Sequence, residues 1–171
     1  LLSSMRDMFI FGSIANIYLN FSQFTKTSPL FGRCWNQKFI YLKKSPIPIL
    51  SPTEILKQYW GYDAFRPLQK DVVDSIISND KVLGILPTGA GKSICYQVPV
   101  LHLNKKAIVI SPLISLIEDQ INNLQKRGIA CINLSGPMGF RDVERLLGNF
   151  QAGPHLFLFC SPERLQSKLF K

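Results

Sequence analysis

From residue 51 onward the apolar positions alternate between two rhythms. Mainly apolar runs of strand length occur at 82–86, 107–110, 129–134 and 155–160, and the stretches between them repeat apolar residues three and four apart. This pattern predicts helices over 92–103, with a kink at Pro99, over 113–126, stopped by Gly128, over 141–150 and over 162–170. Upstream, Ser51, Pro52 and Glu54 combine an N-cap serine, a first-turn proline and the acid of a capping box. They predict a short helix to about Trp60, closed by Gly61, and Leu68, Val72, Val73, Ile76 and Ile77 then mark a second helix within 67–78. Strands separated by helices of this length imply an α/β fold: a parallel β-sheet with right-handed crossovers and helices on both faces.

Residues 1–50 lack a sustained period, so the folded domain is expected over 51–171, after a leader expected to be poorly ordered. The apolar stretch 8–21 contains Asn16 and Asn20 and falls short of a bilayer span. No membrane partner is therefore expected. The chain begins at Leu1, and its leader is basic and poor in acids, which fits residues outside the mature protein better than an organellar transit segment. Lys43-Lys44-Ser45-Pro46-Ile47-Pro48 reads as a linker.

Charge changes this picture only modestly. Of the net +9 on 171 residues, the leader holds six basic side chains against Asp7 alone, leaving +4 for the folded part, a mild bias toward a polyanion. The four cysteines, Cys34, Cys95, Cys131 and Cys160, form no C-x-x-C pair, which argues against a zinc site or a redox motif and for a reduced intracellular compartment. His102 and His155 have no other ligand type at metal-binding spacing.

The sharpest chemical signal is Leu86-Pro87-Thr88-Gly89-Ala90-Gly91-Lys92-Ser93, placed between an expected strand and an expected helix. In a phosphate-binding loop the glycines let backbone N–H groups turn toward the β-phosphate, the lysine reaches the β and γ oxygens, and the hydroxyl ligates Mg²⁺. Residues 87–93 fit those roles, with Mg²⁺ as cofactor and Ser93 as the metal-ligating hydroxyl, although Leu86 stands where the common pattern has its first glycine.

In an open α/β sheet ligands lie beyond the carboxyl ends of the strands. There the chain places Ser111, Pro112, Leu113 and Ser115 after the second predicted strand, the turn 135–138 after the third, and Ser161, Pro162, Glu163 and Arg164 after the fourth. Hydroxyls and helix N-termini along one edge suit a phosphodiester backbone held without base reading. Each Ser-Pro alone serves equally well as a helix start; with the loop 87–93 after the first predicted strand, four turns on one edge favour the binding role.

Residues 61–69 (GYDAFRPLQ), 86–97 (LPTGAGKSICYQ), 109–120 (VISPLISLIEDQ) and 160–165 (CSPERL) together resemble successive motifs of RecQ-type, superfamily-two DNA helicases, in that family's order, over about residues 52–171. The resemblance implies a RecA-like P-loop domain, here an incomplete first helicase lobe, of an enzyme that couples ATP hydrolysis to 3′-to-5′ DNA unwinding in repair and recombination. It implies DNA as partner, single strands and duplex junctions, and a bacterial cytoplasmic or nuclear home. It also places Tyr62 and Arg66 on the faces of adenine and Gln69 on its edge, chemistry that a ring, a guanidinium and an amide can supply. Leu68 and Ala90 depart from the family's usual glycines.

Hydrolysis further needs an acid for the metal, a carboxylate to orient water and an arginine. The family supplies these from a DEAH-like box and a second lobe, and neither motif occurs before Lys171. No catalytic residue is identifiable, and the 171 residues alone are expected to be inactive. Two alternatives remain open: a truncated, non-catalytic module that binds nucleotide or DNA, separated from the leading reading by whether coding sequence continues past Lys171, and a small P-loop phosphotransferase, which would need an arginine-rich lid.

Overall fold

A computed structural model of the chain describes residues 9–12, 50–78 and 81–165. Six helices and four strands occur among them. Strand β1 is Phe9–Gly12, and α1 (Pro52–Trp60), α2 (Gln69–Ser78) and α3 (Lys92–Leu103) follow before β2 (Ala107–Ile110). Then come α4 (Ile114–Gln125), β3 (Cys131–Asn133), α5 (Phe140–Ala152), β4 (Phe157–Cys160) and α6 (Pro162–Leu165).

The strands form one parallel sheet in the order β1-β2-β4-β3. From β2 the chain passes over the β4 position to reach β3, then returns inward to β4. Because the direction of travel reverses while both crossovers stay right-handed, α4 and α5 must cover opposite faces. They do so. Ile117, Ile121 and Leu124 of α4 pack with Ala107, Val109, Phe157 and Phe159, together with Ile76 of α2 and Val100 of α3. Val143, Leu147 and Phe150 of α5 pack with Ile108, Ile132, Leu134, Leu158 and Cys160 on the other side. The β2–β4 register pairs Ala107 with Phe157 and Ile108 with Leu158, so alternate residues of both strands reach the same face. β4 is buried throughout, as a central strand covered on both sides must be.

A third apolar cluster, Ile55, Leu56, Val73 and Val98, joins α1 to α2 and α3. The expected capping box fixes the start of α1: the Glu54 N–H donates to Ser51 Oγ at 3.3 Å, and the Ser51 N–H donates to Glu54 Oε2 at 2.7 Å. Arg127, just past α4, donates from Nε to the Tyr59 carbonyl at 3.0 Å and lies 5.7 Å from the Trp60 ring centre, tying the far end of α1 to α4.

Two sequence expectations are corrected here. Residues 82–86 are not a strand; among the described residues they make no strand pairing, and Leu83 and Ile85 are 61% and 72% exposed. An extended run becomes a strand only beside a partner, and these residues instead lie with Val82 in the apolar core and Gly84 against Val72. The edge beside β2 is taken by β1, within a leader to which the pattern assigned no element; the rest of that leader and the end of the last predicted helix, 166–170, lie outside the described residues. The remaining boundaries shift by small amounts. The predicted strand 129–134 shortens to β3, that at 155–160 to β4, and the helix 113–126 begins one residue later and ends one earlier.

Candidate nucleotide-binding site and the strand-end edge

Residues 87–93 form a tight turn running into α3. The Ala90 N–H donates to the Pro87 carbonyl at 3.2 Å, Gly89 and Gly91 take φ of 80° and 73°, and Gly91 is the N-cap of α3. Ala90 is not among the left-handed residues, so alanine is unstrained where the helicase motif usually has glycine. The first α3 turn bond runs from the Ile94 N–H to the Gly91 carbonyl, and Lys92 Nζ donates to the Pro87 carbonyl at 3.1 Å.

The segment 61–69 folds onto this loop. Arg66 donates from its guanidinium to the Gly89 carbonyl at 2.9 Å, and Gln69 Nε2 donates to the Ala90 carbonyl at 2.7 Å and the Gly91 carbonyl at 3.3 Å. The other end of the Gln69 amide accepts the Arg66 N–H at 2.9 Å. Three consecutive loop carbonyls are therefore turned toward Arg66 and Gln69. In a trans peptide the following N–H points the opposite way, so the N–H groups of Gly91 and Lys92 face away from Gln69.

Gln69 is 2% exposed, with both amide ends engaged by protein, whereas Tyr62 is half exposed. Arg66 and Gln69 thus lie against the loop 87–93, in a clamping role that spacing alone did not reveal. The signal was a glutamine at the start of an amphipathic helix whose side chain is buried; only long-range packing shows what it touches.

Leu68 takes φ of 68° and is 55% exposed. A left-handed conformation costs an L-residue about 1–2 kcal/mol. Leu68→Gly is therefore expected to stabilise the fold by up to about 1 kcal/mol, after the greater chain entropy of glycine, read as a raised denaturant midpoint with an unchanged slope. A lowered midpoint would mean that the Leu68 side chain itself makes a needed contact.

Along the carboxyl edge of the sheet the predicted backbone-binding residues lie together but differ in access. Ser111 is fully buried, its N–H donating to the Cys160 carbonyl at 3.1 Å and its Oγ accepting the Leu113 N–H at 3.4 Å. Pro112, Leu113 and Ser115 are exposed at the start of α4. Ser135 is nearly buried and bonds Asn133 through both its N–H and its hydroxyl, at 2.8 and 2.6 Å. Arg164 donates to the Leu134 carbonyl at 3.2 Å and to that of Gly136, tying the turn after β3 to the turn after β4. Ser161 and Pro162 are half-buried and Glu163 is exposed; its own backbone N–H, then the Ser161 hydroxyl, hold the Glu163 carboxyl below its usual range. Burial pushes the Cys160 thiol up to about 12, so it stays a neutral core group. Among the described residues no three His, Cys, Asp or Glu side chains gather as a metal cluster, and no helix is long and apolar enough to cross a membrane.

The family model for DEAD/DEAH box helicases matches residues 66–171, from Arg66 through the loop and the strand-end turns. The chain belongs to the DEAD/DEAH box helicase family. An ATP-dependent DNA helicase RecQ of Haemophilus influenzae is 34% identical over 116 residues, 68% of this chain and 19% of that protein. A probable ATP-dependent DNA helicase RecS of Bacillus subtilis is 36% identical over 115 residues, 67% of this chain and 23% of that protein. A putative ATP-dependent RNA helicase of Acanthamoeba polyphaga mimivirus is 42% identical over 111 residues, 64% of this chain and 20% of that protein. The chain spans about a fifth of the length of these curated relatives. As a helicase-family domain it presents the loop and the clamp at one end of α3 and the strand-end turns along the adjoining sheet edge.

Proposed function

We propose that this chain is the N-terminal, ATP-binding part of a RecQ-type DNA helicase that couples ATP hydrolysis to 3′-to-5′ movement and strand separation in repair and recombination. The observation that carries the reading is the clamp of Arg66 and Gln69 on the carbonyls of 89–91, at the N-terminus of α3, where free backbone N–H groups suit a phosphate chain. Lys92 then reaches the β and γ oxygens. Ser93 fits Mg²⁺ by the chemistry of its donor: a neutral hydroxyl in the first turn of α3, suited to a hard cation that keeps waters and phosphate oxygens as its other ligands. Tyr62 and Arg66 take the faces of adenine and Gln69 its edge. Pro112, Leu113, Ser115, Ser161, Pro162, Glu163 and Arg164 line the DNA backbone, with buried Ser111 shaping the turn that presents them. The RecQ relatives, DNA helicases by name, support DNA over RNA as partner, and the viral relative, an RNA helicase by name, makes RNA the outcome that would redirect the reading. A home where DNA is found, bacterial cytoplasm or nucleus, follows from that partner.

Gln69→Ala in the intact protein separates the two tasks of this side chain. A glutamine that reads adenine contributes about 1–3 kcal/mol of base discrimination. ATP affinity should therefore fall about tenfold or more while GTP affinity falls less, narrowing the preference for ATP. Equal losses for ATP and GTP would leave Gln69 as a clamp of the loop and remove it from the adenine site.

A further inference from the structure

Where α3 meets α4 the core is not wholly apolar. Gln97 of α3 and Gln120 of α4 are 4% and 8% exposed, two of the few buried polar side chains among the described residues. Tyr96 packs against the cluster that holds Val100, Ile117, Ile121 and Phe157, its ring edge-on to Phe157 with ring centres 6.3 Å apart. The Tyr96 hydroxyl donates to Gln120 Oε1, and Gln97 Nε2 lies 3.5 Å from the same phenol oxygen. A neutral phenol has one proton and an amide oxygen can only accept, so the direction of the bond to Gln120 is fixed.

The two ends of this bond lead to different places. Tyr96 stands about one turn along α3 from Lys92, where the loop 87–93 enters the helix. Gln120 stands on α4, about 7.5 Å along the axis from Ser115 and the exposed Leu113 turn on the strand-end edge. The contacts of Ile117, Ile121 and Leu124 with the sheet are apolar and non-directional, and packed helices can slide by small amounts over such a surface. A hydrogen bond between buried side chains fixes both distance and direction, so it sets where α4 lies relative to α3. A second polar tie has the same sense: Arg127, just past α4, bonds the Tyr59 carbonyl at the end of α1, directly ahead of 61–69.

We infer that Tyr96 and Gln120 are positioning residues that link the two sites: their hydrogen bond passes a displacement of the first turn of α3, made when the loop closes on nucleotide, to the start of α4, so that bound nucleotide resets the affinity of the strand-end edge for single-stranded DNA. The inference rests on the proposed nucleotide and DNA sites and adds residues that touch neither ligand. Coupling between two sites typically changes affinity about 5- to 150-fold, and it is reciprocal.

The test uses the intact protein and a labelled oligothymidine strand, whose affinity is read by anisotropy without nucleotide and with a saturating non-hydrolysable ATP analogue. In the wild type the analogue should shift that affinity about fivefold or more. Tyr96→Phe keeps the ring against Phe157 and removes only the hydroxyl. The shift should then fall below about twofold, with the affinity for each ligand measured alone within about twofold of the wild type, and the effect of the strand on analogue affinity should shrink by the same factor. Tyr96→Phe leaves the Gln120 amide without its donor and should lower the thermal melt; adding Gln120→Leu removes both polar partners and should restore the melt while the coupling stays lost. Coupling that returns with the melt would show a role in stability alone and overturn the inference. An unchanged shift in both variants, or a wild type that binds both ligands independently, would overturn it while leaving the two sites standing. A wild type that binds no strand would remove the DNA reading, and this inference with it.

Discussion

Lys92→Ala in the intact protein is expected to lower ATP affinity by roughly a hundred- to a thousandfold. Hydrogen bonds to charged groups contribute about 1.5–3 kcal/mol each, and an ammonium reaching both the β and γ oxygens supplies two of them. A loss of about 3–4 kcal/mol corresponds to that range of affinity. The fold should be untouched, because Lys92 is exposed and its one described bond is to the Pro87 carbonyl within the loop. Calorimetric or fluorescence titration of ATP, beside a thermal melt, separates the outcomes. Retained tight binding with an unaltered melt would remove Lys92 from the phosphate site and with it the reading of the loop. Lost binding with a lowered melt would show a structural defect instead.

Gly91→Ala should damage both stability and binding, and for two separable reasons. With φ of 73° the residue sits where an L side chain is strained by about 1–2 kcal/mol. Its new Cβ would also stand 2.5 Å from Gln69 Nε2. A flexible side chain would simply move aside, but Gln69 is buried and held at both ends, by the Arg66 N–H and by the Ala90 and Gly91 carbonyls. Displacing it leaves buried polar groups without partners at a further cost of about 1–3 kcal/mol. The expected total is about 2–5 kcal/mol, with ATP affinity falling at least tenfold as the carbonyls of 89–91 lose their hold. Gly89→Ala is the control: its φ is 80°, but its Cβ would meet nothing within 4 Å, so only the conformational strain applies. Combining Gly91→Ala with Gln69→Ala should cost less than the sum of the two, because the second change removes the atom that the first collides with. Strict additivity, or equal damage from Gly89→Ala and Gly91→Ala, would show that the clamp does not brace the loop.

The two variants probe different depths of legibility. The role proposed for Lys92 rests on local order alone, because a lysine after Gly-x-Gly at a helix start is positioned by a few neighbouring dihedrals. Gln69 was readable as belonging with the loop only through resemblance, and its bonds to the 90 and 91 carbonyls join residues more than twenty positions apart. No periodicity encodes such a contact. The strand-end serines show the same divide. Their position after β2, β3 and β4 follows from the strand and helix pattern, whereas the burial of Ser111, the engagement of Ser135 by Asn133 and the tying of two turns by Arg164 depend on how neighbouring strands bring their ends together.

By itself the sequence determined the alternation of elements, the capped start of α1, the phosphate-type loop on α3 and the parallel sheet with both faces covered, because all of these follow from local backbone preference and from apolar period. Tertiary structure decided the rest. Whether 82–86 pairs as a strand depends on a neighbour, not on its own apolar residues, and 9–12 pairs with β2 although its surroundings carry no strand-like period. The strand order β1-β2-β4-β3, which puts α4 and α5 on opposite faces, is likewise set by packing. The hydrogen bond from the Tyr96 hydroxyl to Gln120 was the least legible feature, since it joins α3 to α4 through side chains that only the folded core brings within reach.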